Sequence, residues 1–410
     1  MQSLQPQSFN YAAPPTLQWQ PPQIKNFLAV SGKAYPVNTT ANSITVTLPL
    51  SPNIGDQITL TDYAGTWNTN SCTINANGNK IIGQSSVITG AIGRGSIQLV
   101  YVDATQGWIG FAGIATVYPV QIPPSTIEYL IVAGGGGGGG AQGGGGGAGG
   151  FRTNSGLSVS AGVAYTINVG AGGAGGPPGG NTRGSPGANS YISGTGIVAD
   201  PAAPGNPTAN AITSFGGGGG GVYSAIGTTA GIAGGSGGGG GANGGNGAGG
   251  AGNTPSTSPS QGNNGGSGLA SNYAVGGGGG AGAVGSNGSS SPNAGGNGGA
   301  GTASSITGTS VTYAGGGGGS ASAPNPSGSG GAGGGGAGAS GPNNGTNGSA
   351  NTGGGGGGAS GATGGTGGSG IVVIRYPDTN AAANTTGSPT VTVSGGYRIY
   401  TWTGNGSIAW

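Results

Sequence analysis

Uninterrupted glycine runs limit what this chain can fold into more than any other feature. They stand at Gly134–Gly140, Gly143–Gly147, Gly216–Gly221, Gly237–Gly241, Gly276–Gly280, Gly315–Gly319, Gly333–Gly336 and Gly353–Gly358. Glycine supplies 111 of the 410 residues, against roughly 7% in an average protein. It loses more conformational entropy on ordering than any other residue, and fixing a backbone costs about 1–2 kcal/mol per residue. An ordered glycine array therefore needs an unusual compensating term. One reading is that the region never orders and acts as a flexible linker. The other is a bundle of polyglycine helices in the polyproline II conformation. That helix has three residues per turn, rises about 3.1 Å per residue and makes no internal hydrogen bonds. Its buried N–H and C=O groups must find partners, which neighbouring helices supply only where backbones approach closely enough to demand glycine. A six-residue run would span about 19 Å. Collagen is excluded, because the runs have no Gly-X-Y register and little proline.

Two features favour order. Strand signals bracket the region: Thr126-Ile127-Glu128-Tyr129-Leu130-Ile131-Val132-Ala133 leads in, and Gly370-Ile371-Val372-Val373-Ile374-Arg375-Tyr376 leads out. Pairing them would close the insert at its base, with Tyr129 and Tyr376 as structural residues. Aromatic residues also precede glycine runs at similar offsets: Phe215 before Gly216, Tyr273 before Gly276 and Tyr313 before Gly315. The spacing is a weak internal repeat, and these three read as apolar clasps at the ends of the glycine helices. Smaller strands are expected at Leu157–Ser160, Tyr165–Val169 and Asn189–Ile192. A hairpin is expected from Thr390–Val393 and Tyr397–Thr403 about Ser394-Gly395-Gly396.

Residues 27–120 look conventional. Ile44-Thr45-Val46-Thr47-Leu48 and Gln57-Ile58-Thr59-Leu60-Thr61 alternate with period two, the mark of half-buried strands. Ser96–Val102 and Trp108–Phe111 add longer apolar stretches. Turn signals at Pro49, Ser51-Pro52-Asn53, Asn77-Gly78-Asn79 and Gly93 separate them. The reading is a small antiparallel β-sandwich or barrel with Trp67, Trp108 and Phe111 in its core; carbohydrate stacking on a tryptophan is the alternative. Residues 1–26, with Pro14-Pro15 and Pro21-Pro22, read as an extended arm that is either a free tail or an anchor peptide. The fold class is mainly β. After the arm and the sandwich come a glycine-rich domain over 121–376, with polyglycine II-type runs, and a C-terminal β-hairpin element over 377–410.

Absences exclude much chemistry. There is no histidine, so the commonest general base and most zinc sites are missing. The lone Cys72 reads as a small buried filler. Gly-x-Gly-x-x-Gly recurs by composition alone, and Gly32-Lys33 is followed by Ala34, so no phosphate loop exists. Asp56 and Asp62 sit at turns; together with Asp103 they are poor metal or acid/base candidates. The sequons Asn344-Gly345-Thr346 and Asn347-Gly348-Ser349 are expected by chance. Arg375 and Arg398 should pair with Glu128 or Asp378. The net charge is +2 without clustering, which argues against nucleic acid. No apolar stretch reaches membrane-span length, and the N-terminus lacks the order of a signal peptide. No enzyme activity, cofactor or metal is expected.

Three segments together carry a resemblance: Glu128–Ala133 leading into glycines, Thr166-Ile167-Asn168-Val169-Gly170-Ala171-Gly172-Gly173, and Gly370–Tyr376. With the tail Tyr397–Ile408, this combination resembles the glycine-rich domain of bacteriophage virion proteins over about residues 127–410. The start Ala34-Tyr35-Pro36-Val37 and the end Gly107-Trp108 make residues 27–120 similar to small β-domains of tail fibres. The resemblance implies a virion location, often a fibre, usually as a homotrimer, and is similar to adhesins whose loops at the end of a polyglycine bundle bind the host receptor. No particular loop is assigned that role. The implied partners are other virion proteins, through the N-terminal arm, and a host-surface glycan or protein. The competing readings are an ice- or polysaccharide-binding glycine-helix protein and a cell-wall or matrix protein.

Overall fold

The computed structural model describes residues 17–85, 88–90, 93–111, 122–179, 182–197, 210–223, 229–242, 246–269 and 273–410. Most of the N-terminal arm lies outside them. Among the described residues there is no helix; all regular elements are strands, and the mainly-β class holds. The chain divides into two units, residues 1–123 with 379–382 and residues 124–378 with 383–410.

The first unit has nine strands: β1 (Gln18–Trp19), β2 (Phe27–Leu28), β3 (Lys33–Val37), β4 (Ile44–Thr47), β5 (Gln57–Asp62), β6 (Cys72–Asn75), β7 (Ile88–Gly90), β8 (Ser96–Asp103) and β9 (Gly107–Phe111). They form two sheets, β1-β3-β5-β8-β9 and β2-β4-β6-β7. The expected antiparallel sandwich needs correcting. β1–β3, β3–β5, β2–β4 and β4–β6 are parallel, and only β5–β8, β8–β9 and β6–β7 are antiparallel. Successive strands from β1 to β6 alternate between the sheets, so each returns to its own sheet a full winding later in the same direction. Period-two alternation is the same for either direction; the connection decides it.

The core between these sheets holds Tyr35, Val37, Ile44, Val46, Leu48, Ile58, Leu60, Cys72, Ile74, Leu99, Trp67 and Trp108. Both tryptophans are buried, so neither offers a stacking face. Phe111 ends β9, and its side chain lies outside the described residues. Asp62 is spent on structure: its carboxylate accepts from the amides of Gly65 (2.9 Å), Thr66 (3.2 Å), Trp67 (3.1 Å) and Arg94 (2.9 Å). Asp103 likewise accepts from Thr105 and Gln106. Both act as turn formers.

The second unit continues with β10 (Thr126–Val132), β11 (Phe151–Ser158), β12 (Ala164–Asn168), β13 (Ser190–Ser193), β14 (Ala211–Ser214), β15 (Ser289–Ser290), β16 (Asn293–Ala294), β17 (Thr302–Ser304), β18 (Val311–Tyr313), β19 (Ile371–Pro377), β20 (Asn384–Thr386), β21 (Thr390–Ser394), β22 (Tyr397–Trp402) and β23 (Gly406–Ala409). Two five-stranded antiparallel sheets, β11-β10-β19-β22-β21 and β14-β13-β12-β23-β20, carry it. β10 and β19 pair as the bracketing signals suggest, with Glu128 opposite Arg375 and Val132 opposite Ile371. Both strands are apolar on each face because each face is covered. Ile127, Tyr129, Ile131, Val372, Ile374 and Tyr376 join one cluster with Tyr165, Ile167 and Ile408 of the facing sheet. Leu130, Val132, Ile371 and Val373 pack on the other side with Ile306 and Tyr313.

The segments 157–160 and 165–169, adjacent in sequence, contribute to different sheets: β11 pairs with β10, and β12 with β13 and β23. β21 and β22 form the expected hairpin. Its two-residue turn has both glycines at positive φ, Gly395 at 60° and Gly396 at 81°, the form that suits strand twist. β22 also pairs with β19. Glu128 and Arg375 form an ion pair at 2.8 Å, and the guanidinium lies 4.4 Å from the centre of the Tyr397 ring.

Candidate functional site

The oligoglycine runs lie outside every strand, and their order is carried by main-chain hydrogen bonds with a three-residue rhythm. Gly134 and Gly137 donate to Ala188 (3.0 Å) and Ser185 (2.9 Å). Gly135 and Gly138 donate to Gly368 and Gly365, both at 2.9 Å. Gly136 and Gly139 donate to Gly147 (2.8 Å) and Gly144 (2.9 Å). Carbonyls accept in the same rhythm: 134 and 137 from Gly217 and Gly220, 135 and 138 from Gly173 and Gly176, 136 and 139 from Gly356 and Ala359. Each third residue thus addresses one neighbour, and the run meets a different segment on each donor row and each acceptor row. Residues 143–150 behave alike. Gly144, Gly147 and Gly150 donate to Gly221, Gly218 and Phe215; Gly143, Gly146 and Gly149 to Ala359, Gly356 and Gly353; Gly145 and Ala148 to Gly276 and Gly279.

At many of these glycines the packing leaves no room for a side chain. A Cβ on Gly136 would fall on the carbonyl of Gly218, and one on Gly145 on the carbonyl of Gly317.

The array has a sheet end and a loop end. At the sheet end Ala133 donates to Gly150 (3.1 Å), and the Ser214 hydroxyl donates to the same carbonyl (2.5 Å). At the loop end Ala141 and Gln142 turn the chain with φ of 36° and 47°. Gln142 Nε2 donates to the Ser360 carbonyl (3.1 Å), and the Tyr223 amide donates to Ala141 (2.9 Å).

The aromatic residues singled out from the sequence divide between these ends. Tyr129 and Tyr376 lie buried in one cluster, and Tyr313 is buried in the cluster on the opposite face of the same sheet. Phe215 is buried directly after β14; its amide donates to Gln261 Oε1 at 2.9 Å. Tyr273 departs from the group. It is 43% exposed with φ of 52°, and its ring centre lies 6.2 Å from that of Tyr223, itself 37% exposed. Burial raises the pKa of Tyr129, opposed by the nearby Arg152 and a hydrogen bond from Asn154. Burial likewise raises Tyr313 and Tyr376; the Tyr376 hydroxyl is 3.0 Å from that of Tyr400. Arg152 is buried, which lowers its pKa, and Nη1 donates to the Thr213 carbonyl at 3.3 Å.

Sequence reasoning missed the amide side chains. Asn344 Oδ1 accepts from Thr363 (3.1 Å) and Asn347 Oδ1 from Thr366 (2.9 Å), three residues apart on the same pair of segments. Asn264, Asn287 and Asn297 do the same for Gly252, Ser267 and Ser329. Each carboxamide stands in for a neighbouring carbonyl. The sequon asparagines thus have a structural use, and the period-three spacing of Asn344 and Asn347 was the available signal.

Among the described residues no group of three or more His, Cys, Asp or Glu is placed to hold a metal ion, and no helix is long and apolar enough to cross a membrane. A family model described as a glycine-rich domain matches residues 112–377. No curated protein matches the chain.

Proposed function

The chain belongs to the glycine-rich domain family, and we propose that it serves as a non-catalytic structural and binding protein, a fibre or fibre-like component of a virion that works in attachment to a host surface. In this reading the oligoglycine runs are polyglycine II rods, cross-linked side by side. The three-residue hydrogen-bond rhythm of residues 134–140 carries the proposal, since it equals the repeat of that helix. A stiff rod bundle capped by loops suits a part that holds a surface at a distance and presents it. The loop end, with Tyr223 and Tyr273 in view of solvent, is the side we assign to a host glycan or protein. The virion assignment draws on the likeness of residues 127–410 to phage proteins.

Amide exchange tests the rods. Protection at 134–140 and 143–150 should exceed that of the exposed stretch 153–156 of β11 by orders of magnitude. Equal, rapid exchange would end the rod reading. Attachment is tested separately, by binding of the purified chain to intact host cells. Absence of binding to every susceptible strain would leave a purely structural role.

A further inference from the structure

One edge of the second unit carries few of the devices that proteins use to blunt an exposed strand; Pro389 precedes it but does not enter it. All five residues of β21 are exposed, with Val391 at 48% and Val393 at 56%. The strand has no charge, no internal proline and no register shift against β22. Such edges are templates for pairing with another chain. By contrast β11, the opposite edge of this sheet, carries a bulge against β10, a positive-φ Gly156 and a flanking segment bonded through the Gln261 carbonyl to Phe151.

We propose that β21 is a self-complementary edge at which two copies of this chain pair antiparallel about Thr392. Three observations select a second copy as the occupant. First, Val391-Thr392-Val393 reads the same in both directions, and the flanking Thr390 and Ser394 are both hydroxyl residues. Pairing about Thr392 sets valine against valine, threonine against threonine and hydroxyl against hydroxyl, all favourable cross-strand pairs. Second, the main-chain directions agree. A two-residue hairpin makes Ser394 and Tyr397 a hydrogen-bonded pair, so Thr392–Ile399 and Thr390–Thr401 are hydrogen-bonded too. The free N–H and C=O groups then belong to Val391 and Val393, which meet each other's counterparts in this register and exchange four hydrogen bonds. Third, Val391 and Val393 stand opposite Tyr400 and Arg398, on the sheet face that elsewhere packs against the second sheet. Joining two copies places these four valines together. The contact is isologous and closes as a two-fold dimer.

The test is the mass of the purified full chain by sedimentation equilibrium over a dilution series reaching about 1 mM, the weak end of specific affinity. Twice the chain mass is expected. Two variants break the edge without touching the β21–β22 ladder. Val393→Pro removes an outward N–H, which an edge strand tolerates, and Val391→Lys places a charge on the edge. Each, with unchanged far-ultraviolet circular dichroism, should run at the single-chain mass; if one fails to fold, the other decides. A wild type of one or three chain masses throughout the series overturns the proposal. So does a folded variant that stays dimeric.

Discussion

Replacing Gly136 by alanine tests whether main-chain contact holds the array together. The new methyl would fall on the carbonyl of Gly218, so the neighbouring segment must retreat. Overpacking of this kind costs about 1–3 kcal/mol. Retreat also weakens the bonds that hold that segment, from Gly217 to Gly134 (2.9 Å) and from Gly147 to Gly218 (2.7 Å), at about 1 kcal/mol each. Against this, alanine narrows the unfolded ensemble and returns about 0.4–1 kcal/mol. The balance is a loss of about 2–4 kcal/mol, read as a lower urea midpoint with an unchanged slope. Gly404→Ala is the control. A Cβ there meets nothing within 4 Å, and its φ is not positive, so only the unfolded-state effect remains and stability should hold or rise by about 0.4–1 kcal/mol. Equal midpoints for the two variants would refute the close-contact reasoning, because only one of these glycines is hemmed in.

Tyr376→Phe should lower stability by about 1–2 kcal/mol, since it deletes the 3.0 Å contact with the Tyr400 hydroxyl; unchanged thermal unfolding would show that this buried pair is idle. Cys72, buried and facing the field of Asp62, has its thiol pKa pushed up to about 12, chiefly by burial. It should resist a thiol reagent at pH 8 in the native state and react once urea unfolds the chain. The folded thiol holds its proton more firmly than the unfolded one, so its contribution to stability is complete below the ordinary thiol range. That contribution is lost as pH rises from there towards about 12, and a stability flat across that window would contradict the assignment.

The parts legible in the sequence were those in which apolar residues speak for themselves. β10 and β19 could be paired because long β-branched runs flank a region that contains none. The Glu128–Arg375 bridge followed from their register. The ladder directions of the first unit were not legible: Ile44–Thr47 and Gln57–Asp62 alternate as half-buried strands do in either direction, and only the winding of the chain between sheets makes them parallel to β6 and β3. Tyr273 shows a related limit. Its offset from a glycine run resembles that of Tyr313, yet Tyr313 is the last residue of β18 at the sheet end while Tyr273 stands in a loop beside Tyr223. Offset along the chain does not say at which end of a run a residue falls. Asn344 and Asn347 carry their message in a spacing of three, which a background rich in asparagine conceals.

Gly134–Gly140 and Gly143–Gly147 are knit to their surroundings by amide groups alone. Such a fabric has nothing to protonate in acid and no fixed charge for brine to shield. Its cohesion should therefore be indifferent to the acidity and salinity of the fluid around it, a durability that parts built on ion pairs do not share.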